Sequence, residues 1–298
     1  MDPLESALFK IHQKQLLSEN SGHDIDRVMQ QNVEGLLISK RPYQERHVLA
    51  SVLLRSGKKI STIFLGGKGG GKNQKGSSVE LGSMLQIHLV HGSSQAELKK
   101  AREWKPIWMP LALRENHQAF YLACFMFDVI DRMSVVEDLH DEHHESDQSH
   151  VGLFRLLSNA LFRVDKQVEL KNFILKNEVA LFLGKLLVET GIFPELSECM
   201  HCGIPLTPQL SMQLAPEHGG FSCSQCFARE LGQGHVVDSG KEVWRWLDDL
   251  AHQKYQDILI ERSISNEALK SLFNYFSFQS QINTNSLKTL SVLNLYAN

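Results

Sequence analysis

The sequence predicts a small β-barrel followed by an all-helical domain, with a four-cysteine module inserted late in the helical part. Three observations carry this prediction. Hydrophobic periodicity switches from strand-like to helical near Pro110, basic residues concentrate in the strand-rich part, and two Cys-x2-Cys pairs follow far downstream. Short runs rich in Val, Ile and Leu occupy 33–39 (VEGLLIS), 47–54 (HVLASVLL), 59–65 (KISTIFL) and 83–91 (SMLQIHLVH). Turn signals such as Arg41-Pro42 and Ser56-Gly57 separate them. A fifth short strand is expected near Glu97–Trp104. Five short strands in about 75 residues, with no long helix between them, fit a small closed barrel spanning 31–108.

Residues 1–30 form a polar extension whose weak helical pattern is broken at Asn20, Ser21 and Gly22. Beyond Pro110, apolar residues recur at three- and four-residue spacing over 116–133, 151–164 and 172–191, the last closing on Gly191. Segments 241–253 and 266–282 continue the pattern. The helical domain is thus expected over 109–197 and 231–298, split by a cysteine module at 198–230. No run of about 18 apolar residues exists, so no membrane span is expected. The N-terminus lacks the pattern of a secretion signal, and a cytoplasmic protein is expected.

The 298 residues carry a net charge of −3, which hides a division along the chain. Residues 31–105 contain 13 Lys+Arg against 5 Asp+Glu, a local charge of +8, and the remainder holds 18 basic and 29 acidic residues. Such a split points one segment at a polyanion while the rest stays acidic and solvated.

Cys199, Cys202, Cys223 and Cys226 read C-x2-C-x20-C-x2-C. Two intervening residues let both thiolates of a pair reach one ion, and four sulfurs close a tetrahedral shell with no open position, so a structural Zn²⁺ is expected. The stretch between the pairs carries Pro205, Pro208, Pro216, Gly219 and Gly220 and too few apolar residues for a core of its own. Metal binding must then supply its folding energy. His201 and His218 are rival ligands, and a set of three cysteines and one histidine remains open. Cys124, within FYLACFMF, reads as a core thiol.

Two motifs mimic catalytic chemistry. Gly66–Asn73 (GGKGGGKN) nearly matches a phosphate loop, but Asn73 replaces the metal-binding hydroxyl and no helix follows. What it offers is a glycine-rich loop bearing Lys68, Lys72 and Lys75, a clamp for a nucleic-acid backbone. His140, His143, His144 and His150 lie among acids and read as a solvated loop ahead of a second metal site. Nothing else argues for catalysis, and an enzyme ranks behind both a DNA-binding factor and a protein-interaction adaptor without DNA binding.

Taken in order, VEGLLISKRPYQERHVLASVLLRSGKKISTIFLGGKGG (33–70), LFRLLSNALFRV (153–164), ETGIFPELSECMHCG (189–203) and NSLKTLSVL (285–293) resemble the bacterial recombination mediator RecO family. The resemblance spans roughly 33–295. It implies that the barrel is an oligonucleotide-binding fold, and that the protein binds and anneals DNA, single- and double-stranded, without catalysis. It further implies a RecR-like partner, recombinase loading, and docking of the acidic tail of single-strand-binding protein on the helical domain. Lys40, Arg41, Arg46, Lys58, Lys59, Lys68, Lys72 and Lys75 become the DNA-binding candidates, with Tyr43 or Phe64 for base stacking. Two departures stand out. Thirty residues precede the first strand, and the glycine loop has lysines where the family commonly has arginines, which lose the planar fork geometry.

Overall fold

A computed structural model describes residues 30–68, 79–90, 98–137, 151–231, 239–260, 262–293 and 295. Strands β1 (Gln30–Tyr43), β2 (His47–Leu54), β3 (Lys59–Phe64), β4 (Met84–Val90) and β5 (Lys99–Trp108) close a barrel in the order β1-β2-β3-β5-β4. Only β3 and β5 run parallel. This is the five-stranded arrangement of an oligonucleotide-binding fold.

Closure depends on the length of β1. Its first half pairs with β4 and its second half with β2, and Gly35 belongs to both ladders. A Cβ there would meet Val52 Cγ1 at 2.5 Å and Leu53 O at 2.6 Å, so the tight bend admits only glycine. The strand outruns its apolar centre and passes through Arg41-Pro42, which the sequence reading took for a turn. The chain reverses at 44–46 instead, with Gln44 at a positive φ of 52°.

The apolar run of β1 is continuous because both of its faces are covered. Leu37 points into the barrel beside Val52, Ile60, Phe64 and Ile87. Leu36 and Ile38 point outward and join Leu53 and Met84 in the core of the helical domain. That domain holds α1 (Ala112–Glu115), α2 (His117–Met133), α3 (Val151–Glu169), α4 (Leu175–Glu189), α5 (Ser224–Leu231), α6 (Ser239–Ala251), α7 (Asn266–Ser280) and α8 (Lys288–Leu293). Helix α2 starts where the Asn116 side chain accepts from the Ala119 amide at 3.1 Å. Helix α4 is buried nearly all round and forms the centre. Among the described residues, no helix is long and apolar enough to cross a membrane.

Cys124 is half-buried, between the fully buried Ala123 and Phe125, and burial pushes its thiol up. The expectation of a core thiol is thus met only in part, because position 124 lies at the edge of the buried stripe of α2.

The cysteine module folds as a hairpin of β6 (Met212–Ala215) and β7 (Gly220–Cys223) leading into α5. Its few apolar side chains, Leu206, Met212, Leu214 and Phe221, do not form a separate core but join that of the helices. Trp244 of α6 donates to Leu196 O at 2.9 Å, and Gln279 of α7 donates to Pro216 O at 2.6 Å, fastening the chain just before the module and the turn between β6 and β7.

Candidate metal centre and nucleic-acid interface

The four cysteines converge. Their Sγ atoms all lie within 4.8 Å of one another, with Cys202 Sγ 3.8 Å from Cys223 Sγ. Local backbone geometry brings each pair together. In the first, Gly203 adopts φ +67° and donates to Cys199 O at 2.9 Å, while the Cys199 amide donates to Ile204 O at 2.9 Å. This tight turn points both sulfurs the same way. In the second, Cys223 ends β7 and Cys226 lies in the first turn of α5. Strand pairing sets the distance between the pairs, since Met200 N donates to Phe221 O at 3.0 Å and Cys223 N to Cys199 Sγ at 3.2 Å.

Burial pushes the Cys199 thiol up, but hydrogen bonds from the Cys223, Cys202 and His201 amides outweigh it and bring it down to about 6. The Cys226 thiol is pushed up to about 12, first by its hydrogen bond with Cys202 and then by burial. Four sulfurs this close cannot all ionise without a cation among them. A divalent ion at their centre reverses that, and four soft thiolates suit a tetrahedral metal. The residues therefore fit a closed metal site. His201 and His218 stack edge-to-face on each other, ring centroids 4.3 Å apart, and neither belongs to the four-sulfur cluster.

The basic candidates on the barrel divide into two groups. Arg46 and Lys68 are exposed and meet at one end, where the β1–β2 hairpin touches the start of the glycine loop. There Lys68 N donates to Arg46 O at 3.2 Å, Lys68 Nζ to Gln44 O at 2.8 Å, and Gly66 N to His47 Nδ1 at 3.0 Å. Arg41 is exposed nearby, on a row crossing the outer face of four strands, Arg41–Leu49–Ile63–Lys100. Beside it runs a row of Ser39, Ser51 and Ser61. The first row has an exposed cation at each end, Arg41 and Lys100, with half-buried Leu49 and buried Ile63 between them.

The second group is engaged within the fold. Lys40 Nζ donates to Val79 O at 2.8 Å and to Glu80 Oε2 at 3.0 Å, an oxygen that Arg114 also approaches at 3.3 Å. Lys59 pairs with Asp131 at 3.0 Å and donates to the Asp131 carbonyl as well. Its backbone bonds Val135 O and the Glu137 amide, both at 2.8 Å. These bonds fix the barrel to the end of α2. Lys58 is half-buried in the β2–β3 turn. Lys72, Lys75 and the histidine-rich segment from His140 to His150 lie outside the described residues.

Phe64 corrects an expectation. It is 0% exposed and packs edge-to-face on Trp104 at 5.2 Å inside the barrel, so it offers no face to a base. Strand parity explains this, because Ile60, Thr62 and Phe64 share the inward face. Tyr43 is half-buried at the hairpin. Sequence reasoning also missed candidates. Lys100, Arg102 and Lys105 are exposed on β5; they were counted in the local charge of +8 yet not singled out, and Lys105 lies beyond the expected end of the strand at Trp104.

A family model described as "Recombination protein O C terminal" matches residues 118–288. The chain belongs to this family. Relatives bearing the name DNA repair protein RecO are similar over much of their length. That of Alkaliphilus metalliredigens is 24% identical over 207 residues, 69% of this chain and 72% of its own. That of Bacillus pumilus is 22% identical over 197 residues, 66% and 68% of the two chains. That of Lactobacillus helveticus is 21% identical over 264 residues, 89% and 97%. Among solved structures, aspartyl tRNA synthetase from Entamoeba histolytica overlaps 62% of this chain and 40% of its own at 7% identity, with a TM-score of 0.21. That likeness is too slight to bear on the fold. The family match begins at α2, so membership rests on the helical part and the cysteine module, while the barrel is known from its own strands.

Proposed function

We propose that the protein is a DNA-binding mediator of recombinational repair that acts by annealing and loading, without catalysis. Membership of the Recombination protein O family supports a role in DNA repair and recombination. The observation that carries the finer reading is the meeting of Arg46 and Lys68 at one end of a closed five-stranded barrel, with Arg41 and Lys100 bounding its outer row.

The chemistry follows from charge. Two complementary strands repel through their phosphates, and a basic surface that neutralises both lowers that repulsion and releases condensed counterions. Arg41 and Arg46 grip phosphate oxygens through paired N–H donors, whereas Lys68 acts as a point charge held against the hairpin. Lys72 and Lys75, candidates from the sequence, would add two further charges. Lys40, Lys58 and Lys59, proposed from the sequence as further contacts, contribute less, because Lys40 and Lys59 already hold acids and Lys58 is half-buried.

Cys199, Cys202, Cys223 and Cys226 would hold one structural Zn²⁺, which supplies four metal–sulfur bonds and no open position for a reaction. Its task is to fasten the module that braces α6 and α7. A RecR-like partner and the acidic tail of single-strand-binding protein belong to this reading through the family alone, with the helical domain as the docking body. A cytoplasmic, nucleoid-associated location goes with it. The alternative is an adaptor that binds only proteins.

Annealing separates the two. Two complementary oligonucleotides, one labelled, are mixed with and without the protein, with no nucleotide, at low and moderate salt. The mediator accelerates annealing, and the acceleration fades as salt rises. Absence of both acceleration and binding at low salt overturns it in favour of the adaptor.

A further inference from the structure

Strand β5 ends against α3 in an aromatic pair of which Trp108 packs on the helical core and Phe162 does not. The Phe162 side chain is 61% exposed on α3, and its ring lies 6.4 Å from that of Trp108, tilted by 42°. Trp108 packs against the helical core and holds the pair in place, leaving Phe162 turned to solvent. Ile107 and Leu111, close by in the chain, are also exposed, at 49% and 62%. Folding alone gives no reason to leave a phenylalanine here, since an exposed aromatic ring gains little from burial.

The charge next to this pair decides what it suits. Lys105 is exposed three residues before Trp108 on the same strand, roughly 10 Å away at the rise of a strand. It faces the neutral Gln86 across the ladder. Lys166, one turn beyond Phe162, is instead paired with Glu169 at 2.8 Å. An aromatic platform with a free cation on the same strand is the combination that grips single strands, one part taking base faces and the other the backbone.

Resting on the reading of the barrel as a DNA surface, we infer that Trp108 and Phe162 form a stacking platform for the bases of single-stranded DNA, with Lys105 taking a phosphate of the same strand. The platform lies where the barrel meets the helical domain. A bound strand that reaches it therefore contacts both. Because a duplex hides its base faces, the platform favours single strands, while the cations at the barrel end serve single strands and duplexes alike. A protein partner is the other class of occupant for an apolar patch, but continuity with the cations of β5 favours nucleic acid.

The test measures binding of the full-length protein to a labelled oligothymidylate and to a duplex of equal length, each over a range of salt. Phe162→Ala should weaken single-strand binding about tenfold, the effect of losing one stacked base. The salt dependence should not change, because no charge is removed, and duplex binding should stay the same. Phe162→Trp should restore single-strand binding. The exposed site makes misfolding of these variants a minor concern, and equal melting temperatures would verify that. Unchanged single-strand affinity, or an equal loss on the duplex, overturns the platform. A loss of self-association with unchanged DNA affinity likewise overturns it and makes the patch a protein face. Failure of the unmodified protein to bind either DNA at low salt sinks the barrel reading itself, an outcome distinct from failure of the platform alone.

Discussion

Leu37, Val52, Phe64 and Ile87 pack against one another inside the barrel, whereas Leu206, Met212, Leu214 and Phe221 of the cysteine module pack onto helices that are not its own. The barrel closes its hydrogen-bond ladders on itself and encloses a core of its own. The module has two four-residue strands, one short helix and four crowded sulfurs. Small units with too little core of their own depend on metal or neighbours; this one leans on its helical neighbours and offers a four-sulfur metal site as well. The comparison teaches that the proposed DNA surface and the candidate metal site should fail independently.

Metal removal is the strongest way to break that comparison. The purified protein should carry one zinc per chain, and Cys223→Ser or a strong chelator should remove it. Structural zinc contributes on the order of 10 kcal/mol to folding of such sites, so amides of β6, β7 and α5 should lose protection from hydrogen exchange. Those of β1 to β4 should keep theirs. Equal loss in the barrel would mean that the two regions share one cooperative unit.

The reverse lesion comes next in size. Phe64→Ala opens a cavity in the barrel and should cost about 3–5 kcal/mol. DNA binding should fall with barrel stability while zinc content stays at one per chain. Zinc loss would again contradict the separation.

A smaller effect sharpens the division among the lysines. The Lys59–Asp131 pair is partly exposed, so Lys59→Met should lower stability by about 1 kcal/mol or less. The shift should appear in the denaturant midpoint, with the salt dependence of DNA binding unchanged. A reduced salt slope would return Lys59 to the DNA surface.

The smallest effect concerns pH. Burial pushes the Glu178 carboxyl above its ordinary 4.5, ahead of the opposing pull of Arg163, whose Nε lies 3.0 Å from it. Folding thus favours the neutral acid, and this contribution to stability is lost as pH rises from 4.5 through the folded value. Glu178→Gln has no such dependence, so the stability advantage of wild type over the variant should shrink across that window. An advantage that stays constant would mean that Glu178 titrates normally.

Much of this was legible beforehand. The first four strands follow from short Val-, Ile- and Leu-rich runs between turn signals, and the cysteine cluster follows from spacing, because two residues between cysteines fix the turn whatever surrounds it. The second half of β1 was hidden since Lys40, Arg41 and Pro42 look like a turn when the strand's partners are unknown. Local charge could not separate Arg46, which faces solvent, from Lys59, whose acid sits 72 positions away at Asp131. Ion pairs of that kind are set by tertiary packing. Phe64 was legible in principle, for parity with Ile60 places it inside, yet its aromatic character suggested a stacking role. The Trp108–Phe162 pair joins residues of different elements and has no local signature at all.

The central claim, that the barrel end is the DNA surface, is tested most directly by the salt dependence of single-strand binding in wild type and in an Arg46→Ala, Lys68→Ala double variant. Each phosphate contact on a single strand contributes about −0.7 to the log–log slope, so removing two should flatten it by about 1.4. Melting temperature and zinc content should not move. An unchanged slope with binding intact would place the DNA elsewhere on the molecule and contradict the account.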